Sequence, residues 1–351
     1  MDKTRKGRNE YIDFIRGMTT INIIAIHTAF WAGEQFTPEW FRNLTLLVDV
    51  PLFFYLSGWA SSLHKCSVEK TCRSLLNIWI KWVFFYILIS FFCYISNWLP
   101  YKFEGAANFR DVINGCFFRV NIKGFPVVAS SLWYMPYYFI VLIVNTIIVV
   151  ILTANERAKK DCFLYMLLLA AAFVWISFGN YFFGLDVRYF LFYAFFWMYG
   201  YNQLGKAHSF GSLVGFICLF IGGICLCSYM MQLPIYNLQS AKFPPSIKYG
   251  FASMIIIWIV KSAESHVHHK NSFLVHVGRV AIFYYFGQGI ATSLNFFVVD
   301  LLSFNNWIIK WILTFVINVI LTIVISELLN SSYVGINRVI KNRKTATHTL
   351  R

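Results

Sequence analysis

The sequence predicts an all-α, polytopic integral membrane protein of about ten transmembrane helices in one bundle, and three observations carry that prediction. Of the 351 residues, 58% are apolar and only 13% are charged, whereas an ordinary soluble domain is about a quarter charged. A soluble chain of this length forms two or three globules, and too few charges remain to cover them. The apolar residues fall into runs that approach the roughly 20 residues a helix needs to cross hydrocarbon. Finally, the 30 Lys and Arg, set against 15 Asp and Glu for a net charge of +15, sit between those runs, which is the bias of cytoplasmic loops and tails in membrane proteins. A nucleic-acid binder would gather its cations on one face of a soluble module. No nucleic-acid partner is expected, and the composition also excludes disordered, collagenous and disulfide-stapled secreted chains.

The expected spans are residues 14–32, 44–63, 75–98, 132–152, 163–178, 189–204, 212–231, 247–260, 280–299 and 307–328. The first follows the basic stretch Met1 to Arg8. It holds Asp13, Arg16, Asn22 and His27, so it is expected to be a retained helix and not the apolar core of a signal peptide. The fifth, sixth and eighth spans are short. The longest polar connection, 100–131, is too short for a separate catalytic domain, with residues 109–114 expected to form a short surface helix. Lys310 and Glu327 read as flanks of the last span. With the N-terminus inside, the inner segments carry 19 Lys and Arg and the outer loops 7, so both tails, 1–13 and 329–351, are expected to be cytoplasmic. The whole chain is expected to be one membrane-embedded domain. Of the eight cysteines only Cys116 falls in an outer loop, so a disulfide framework is not expected.

Charge at bilayer depth is costly and marks function by default. Arg16 and His27 are eleven residues apart, which returns them to nearly one helix face about 16 Å apart along the axis, and Asp13 can pair with Arg16. An imidazole can take a proton from a hydroxyl near neutral pH, and a guanidinium can grip phosphate or carboxylate. On spacing alone, a hydrogen-bonded His27 and a snorkelling Arg16 explain the pattern equally well.

The segment Tyr11-Ile-Asp-Phe-Ile-Arg-Gly-Met18, with His27 beyond it, resembles the opening of the membrane-bound acyltransferase 3 family, whose first helix carries Arg or Lys, ten residues, then His. Val50-Pro-Leu-Phe-Phe-Tyr-Leu-Ser-Gly-Trp59, Ser130-Ser-Leu-Trp-Tyr-Met-Pro136, residues 188–200 and Gly278-Arg-Val-Ala-Ile-Phe-Tyr-Tyr285 are similar to later family segments, in order. The last of these commonly ends in His, and Gln288 stands there in this chain. Some relatives carry an added periplasmic esterase-like domain, which is not expected here. The resemblance implies transfer of an acyl group, most often acetyl, from acyl-CoA to a hydroxyl of a bacterial surface glycan or its lipid-linked precursor, at the cytoplasmic membrane. It implies His27 as general base or acyl carrier. Arg16, Lys70, Arg73 and Arg279 would hold the CoA phosphates, although Lys70 and Arg73 match the family's paired arginines only in part.

Other residues have two readings. Asp49 either orients the imidazole or lies solvated at the interface, with solvation favoured, and Glu34 reads as a loop acid. Arg188 either binds substrate or pairs with Asp186. Ser57 reads as part of a close-packing Ser-Gly step. Trp133, with Tyr134, Tyr137 and Tyr138, belongs to an interfacial belt first and to a sugar-stacking platform second. His266, His268, His269 and His276 lack partners for a metal, and none is expected. Two rival functions remain: a transporter or flippase using His27 as a proton relay, for which no internal repeat speaks, and a non-catalytic envelope assembly partner. The oligomeric state is left open.

Overall fold

The structure, a computed structural model, describes residues 9–98, 102–106, 108–154, 158–176, 179–182, 184–203, 210–265 and 272–349. The described chain is helical apart from a two-residue β pair, Tyr181–Phe182 (β1) with Leu185–Asp186 (β2). Each expected span overlaps a long helix. These are α1 (Glu10–His27), α3 (Val50–Ser62), α4 (Val68–Ser96), α7 (Tyr134–Leu152), α8 (Ala158–Trp175), α9 (Val187–Tyr201), α10 (Phe210–Met231), α12 (Ile247–Ala263), α14 (Ala281–Leu301) and α15 (Trp307–Thr349). Short helices lie between them: α2 (Glu39–Thr45), α5 (Phe109–Cys116), α6 (Pro126–Ser131), α11 (Gln239–Lys242) and α13 (Phe273–Arg279). Among the described residues, six helical stretches are long and apolar enough to cross a membrane, the longest being Trp307–Ile340. Their outer faces carry exposed Phe91, Leu219 and Leu328, a pattern suited to lipid and not to water. The chain is a polytopic membrane protein.

Three expectations change. The second span is not continuous from 44 to 63: α2 stops at Thr45, and α3 begins at Val50 with Pro51 in its first turn. Pro lacks the amide hydrogen that a helix interior needs, and it favours the residue before it staying out of the helical region. The expected tail from 329 continues as helix to Thr349, because no proline interrupts α15. For the same reason Glu327 is not a flank residue but lies within the helix, where it accepts a hydrogen bond from Tyr284 Oη at 2.9 Å.

Two compact units divide the chain. The first is Met1–Ile26, Thr37–Leu75 and Trp133–Arg279; the second is His27–Phe36, Leu76–Leu132 and Val280–Arg351. In the first unit two helix crossings depend on glycine. A Cβ on Gly58 of α3 would lie 1.8 Å from the Trp197 carbonyl oxygen, and one on Gly200 of α9 would lie 2.0 Å from that of Tyr55. A Cβ on Gly17 of α1 would meet the Leu274 carbonyl oxygen at 2.0 Å, and one on Gly278 of α13 would meet that of Asp13 at 1.8 Å. Small residues let helix backbones approach where lipid supplies no hydrophobic drive. In the second unit α14 packs along α15, with Gly287 against Ser326. Val127 at the start of α6 donates its amide to Ser293 Oγ on α14 at 3.2 Å.

Candidate active site

The Gly17 and Gly278 crossing brings two of the expected arginines together. Asp13, 2% exposed, accepts from Arg16 Nη1 at 3.3 Å through Oδ1, and its Oδ2 lies 3.6 Å from Arg279 Nε. Arg279 Nη2 also pairs with Glu10 at 3.1 Å. Both guanidiniums sit on partly exposed side chains, 24% and 22%. They are therefore oriented by carboxylates yet still reachable, and each keeps donors beyond those in use, since a guanidinium has five. Lys70 and Arg73 lie on the exposed first turns of α4, where Arg73 pairs with Glu69 at 2.9 Å, both side chains largely in solvent. A pair of that kind contributes little to stability.

His27 is the last residue of α1, and the chain passes from it into a π-helical turn, Thr28–Ala32. Such turns re-aim side chains and recur at functional sites. Within the second unit, His27 Nδ1 lies 2.5 Å from Gln288 Oε1 on α14. Thr28 Oγ1 accepts from Asn318 Nδ2 at 2.8 Å. Glu34 is exposed in the turn that follows.

Asp49 is not a solvated carboxylate. It is the residue before α3, and its side chain, 1% exposed, takes Lys242 Nζ at 2.6 Å and the Tyr249 hydroxyl at 2.7 Å, both on Oδ2. Burial in an apolar slab demands such partners. Asp49 Oδ1 and the nearby Tyr193 hydroxyl are buried without a hydrogen-bond partner. Trp133 packs inside the first unit against Tyr137, Tyr189, Tyr193 and Phe243, with Lys242 Nζ 5.7 Å over its ring. It therefore belongs to an aromatic cluster within this unit. The Asp186 carboxylate accepts the backbone amides of Gly179 and Arg188 at 2.9 and 2.8 Å. The Arg188 guanidinium lies instead 5.0 Å over the Phe173 ring, and its Nε is buried without a partner. Ser57 Oγ meets the Tyr138 hydroxyl at 3.3 Å, a packing contact beside Gly58.

Sequence reasoning missed Lys242 and Tyr249 as partners of Asp49, which lie far along the chain with no periodicity to link them. It also missed Lys261, whose Nζ meets Glu264 at 2.6 Å and the Trp59 ring at 4.2 Å. Burial pushes the Cys66 thiol up, with a hydrogen bond from Tyr201 acting weakly against it, which leaves little thiolate for nucleophilic work at neutral pH. His266, His268 and His269 lie outside the described residues, and His276 is exposed on α13.

A multi-span helical protein with a histidine at the end of its first helix and paired arginines near the start of that helix defines a class of membrane transferase. The chain matches the family model described as acyltransferase domain over residues 9–327, and it belongs to the acyltransferase 3 family. No curated protein and no solved structure matches the chain.

Proposed function

We propose that this membrane acyltransferase moves an acetyl group from acetyl-CoA to a hydroxyl of a bacterial cell-surface glycan or its lipid-linked precursor. It works in the cytoplasmic membrane with both termini on the cytoplasmic side, as one catalytic domain without a resident metal. The observation that carries the reading is the first helix: Arg16, tied with Arg279 to Asp13, and His27, in contact with Gln288, sit on one α-helix in a chain that belongs to an acyltransferase family.

His27 acts as general base. The imidazole removes the proton from the acceptor hydroxyl, the oxygen attacks the thioester carbonyl carbon, and the C–S bond breaks. The imidazolium returns the proton to the departing thiolate, giving the ester and free CoA. The balance needs no further reactant. Arg16 and Arg279 grip the CoA phosphates through their remaining donors, and Lys70 and Arg73 attract the same phosphates from the exposed start of α4. Asp49, Trp133 and Arg188 contribute to the acceptor side: a carboxylate oxygen, an aromatic face and a guanidinium are groups that recognise a sugar.

Membranes holding the intact chain, incubated with radiolabelled acetyl-CoA, are expected to place label in extracted glycan or glycolipid. Arg16→Ala should raise the KM for acetyl-CoA about tenfold, given the 1.5–3 kcal/mol of a hydrogen bond to a charged group. No label from any acyl-CoA would defeat the reading.

A further inference from the structure

The α14 and α15 pair carries a seam of uncharged polar side chains that the transfer reaction above does not use. On α15, Thr314, Asn318, Thr322 and Ser326 recur every four residues along one ridge, and on α14 Gln288, Thr292 and Asn295 face the same pairing. All seven are fully buried. Three contacts fix the antiparallel register. Gly287 lies against Ser326, Asn318 Nδ2 donates to Thr292 Oγ1 at 2.9 Å, and Asn295 Nδ2 donates to the Thr314 carbonyl at 3.0 Å. In that register Gln288 and Thr322 fall on one level. Gln288 Oε1 meets His27 Nδ1 at 2.5 Å, while Gln288 Nε2 and Thr322 Oγ1 are both buried without a hydrogen-bond partner.

We propose that Gln288 is the positioning residue of His27. An amide oxygen has no proton to give, so the contact requires the proton on Nδ1 and puts the basic lone pair on Nε2. Gln288 is also neutral. It sets the direction of the ring without a carboxylate's charge. The tautomer follows from geometry alone, whereas its catalytic consequence rests on the reading of His27 as base.

Detergent-solubilised protein labelled with nitrogen-15 at its histidine rings tests this, with the His27 signals identified by their loss in His27→Ala. At mildly alkaline pH the intact protein is expected to show His27 protonated at Nδ1 and unprotonated at Nε2. Gln288→Leu, or Gln288→Met should the first variant fail to assemble, is expected to mix or reverse the tautomers, and Gln288→Glu to restore them. In turnover, Gln288→Leu should lower kcat about 100-fold, the lower end of what a positioned base contributes, with the KM for acetyl-CoA unchanged. An Nε2-protonated His27 in the intact protein, or an unaltered tautomer in Gln288→Leu, overturns the proposal. Should the intact protein transfer no acyl group, the catalytic role of His27 falls while the tautomer is still judged by its own signals.

Discussion

Asp49 shows how a single buried charge organises its surroundings. Its carboxylate is held by Lys242 and the Tyr249 hydroxyl with almost no solvent access. Removing Lys242 would leave the charge unpaired, a loss of about 3–5 kcal/mol, whereas replacing both partners with apolar groups of similar size is close to neutral. Lys242→Ala is therefore expected to lower the Tm of the solubilised protein sharply, and Lys242→Met combined with Asp49→Leu to recover most of it. A double variant as unstable as the single one would show that the pair does more than satisfy itself. At this scale the sequence was only partly legible. Arg16 and Asp13 are three residues apart, so local helix geometry alone predicts their contact. Gln288 drew notice merely as a departure from a family pattern, since nothing local links it to His27.

At the scale of the element, glycines decide where helices cross. The motif segments that contain Gly17, Gly58, Gly200 and Gly278 meet in two pairs, α1 with α13 and α3 with α9, each closed to less than a methyl group's width. Gly278→Ala sets a Cβ 1.8 Å from a backbone oxygen, which no rotamer relieves. It is expected to cost more than the roughly 1 kcal/mol of a typical substitution and to separate Arg279 from Asp13. Gly335→Ala, with nothing within 4 Å, should leave the thermal midpoint unchanged or raised. Comparing the two midpoints by thermal unfolding checks this; equal losses would contradict it. The Ser-Gly step at 57–58 was readable as a packing device from residue size, but its partner Gly200 was not. The helical form of the far end of α15 was not legible for a different reason: hydropathy marks where lipid ends, and α15 keeps its backbone bonding past that point because no breaker follows.

For the molecule as a whole, each of the ten expected spans overlaps helix, and the proposed orientation rests on the expected inward bias of Lys and Arg. Hydropathy alone was enough to find the spans because lipid forces every spanning segment to satisfy its own backbone. The π turn after His27 and the broken second span were not legible, since both depend on local bonding that composition does not encode. The orientation predicts that Cys72, exposed near the start of α4, reacts with a membrane-impermeant maleimide only after permeabilisation when the other cysteines are Ser. A cysteine placed at Lys102 should react on intact cells. Labelling of Cys72 from outside would invert the topology and place the arginine cluster away from cytosolic CoA. The central claim is that His27 drives acyl transfer, and it is tested most directly by purified, lipid-reconstituted protein given labelled acetyl-CoA and an extracted glycolipid acceptor. The intact chain should produce labelled ester. His27→Ala, with unchanged thermal stability, should fall by at least about 100-fold. Full transfer by His27→Ala would contradict the account.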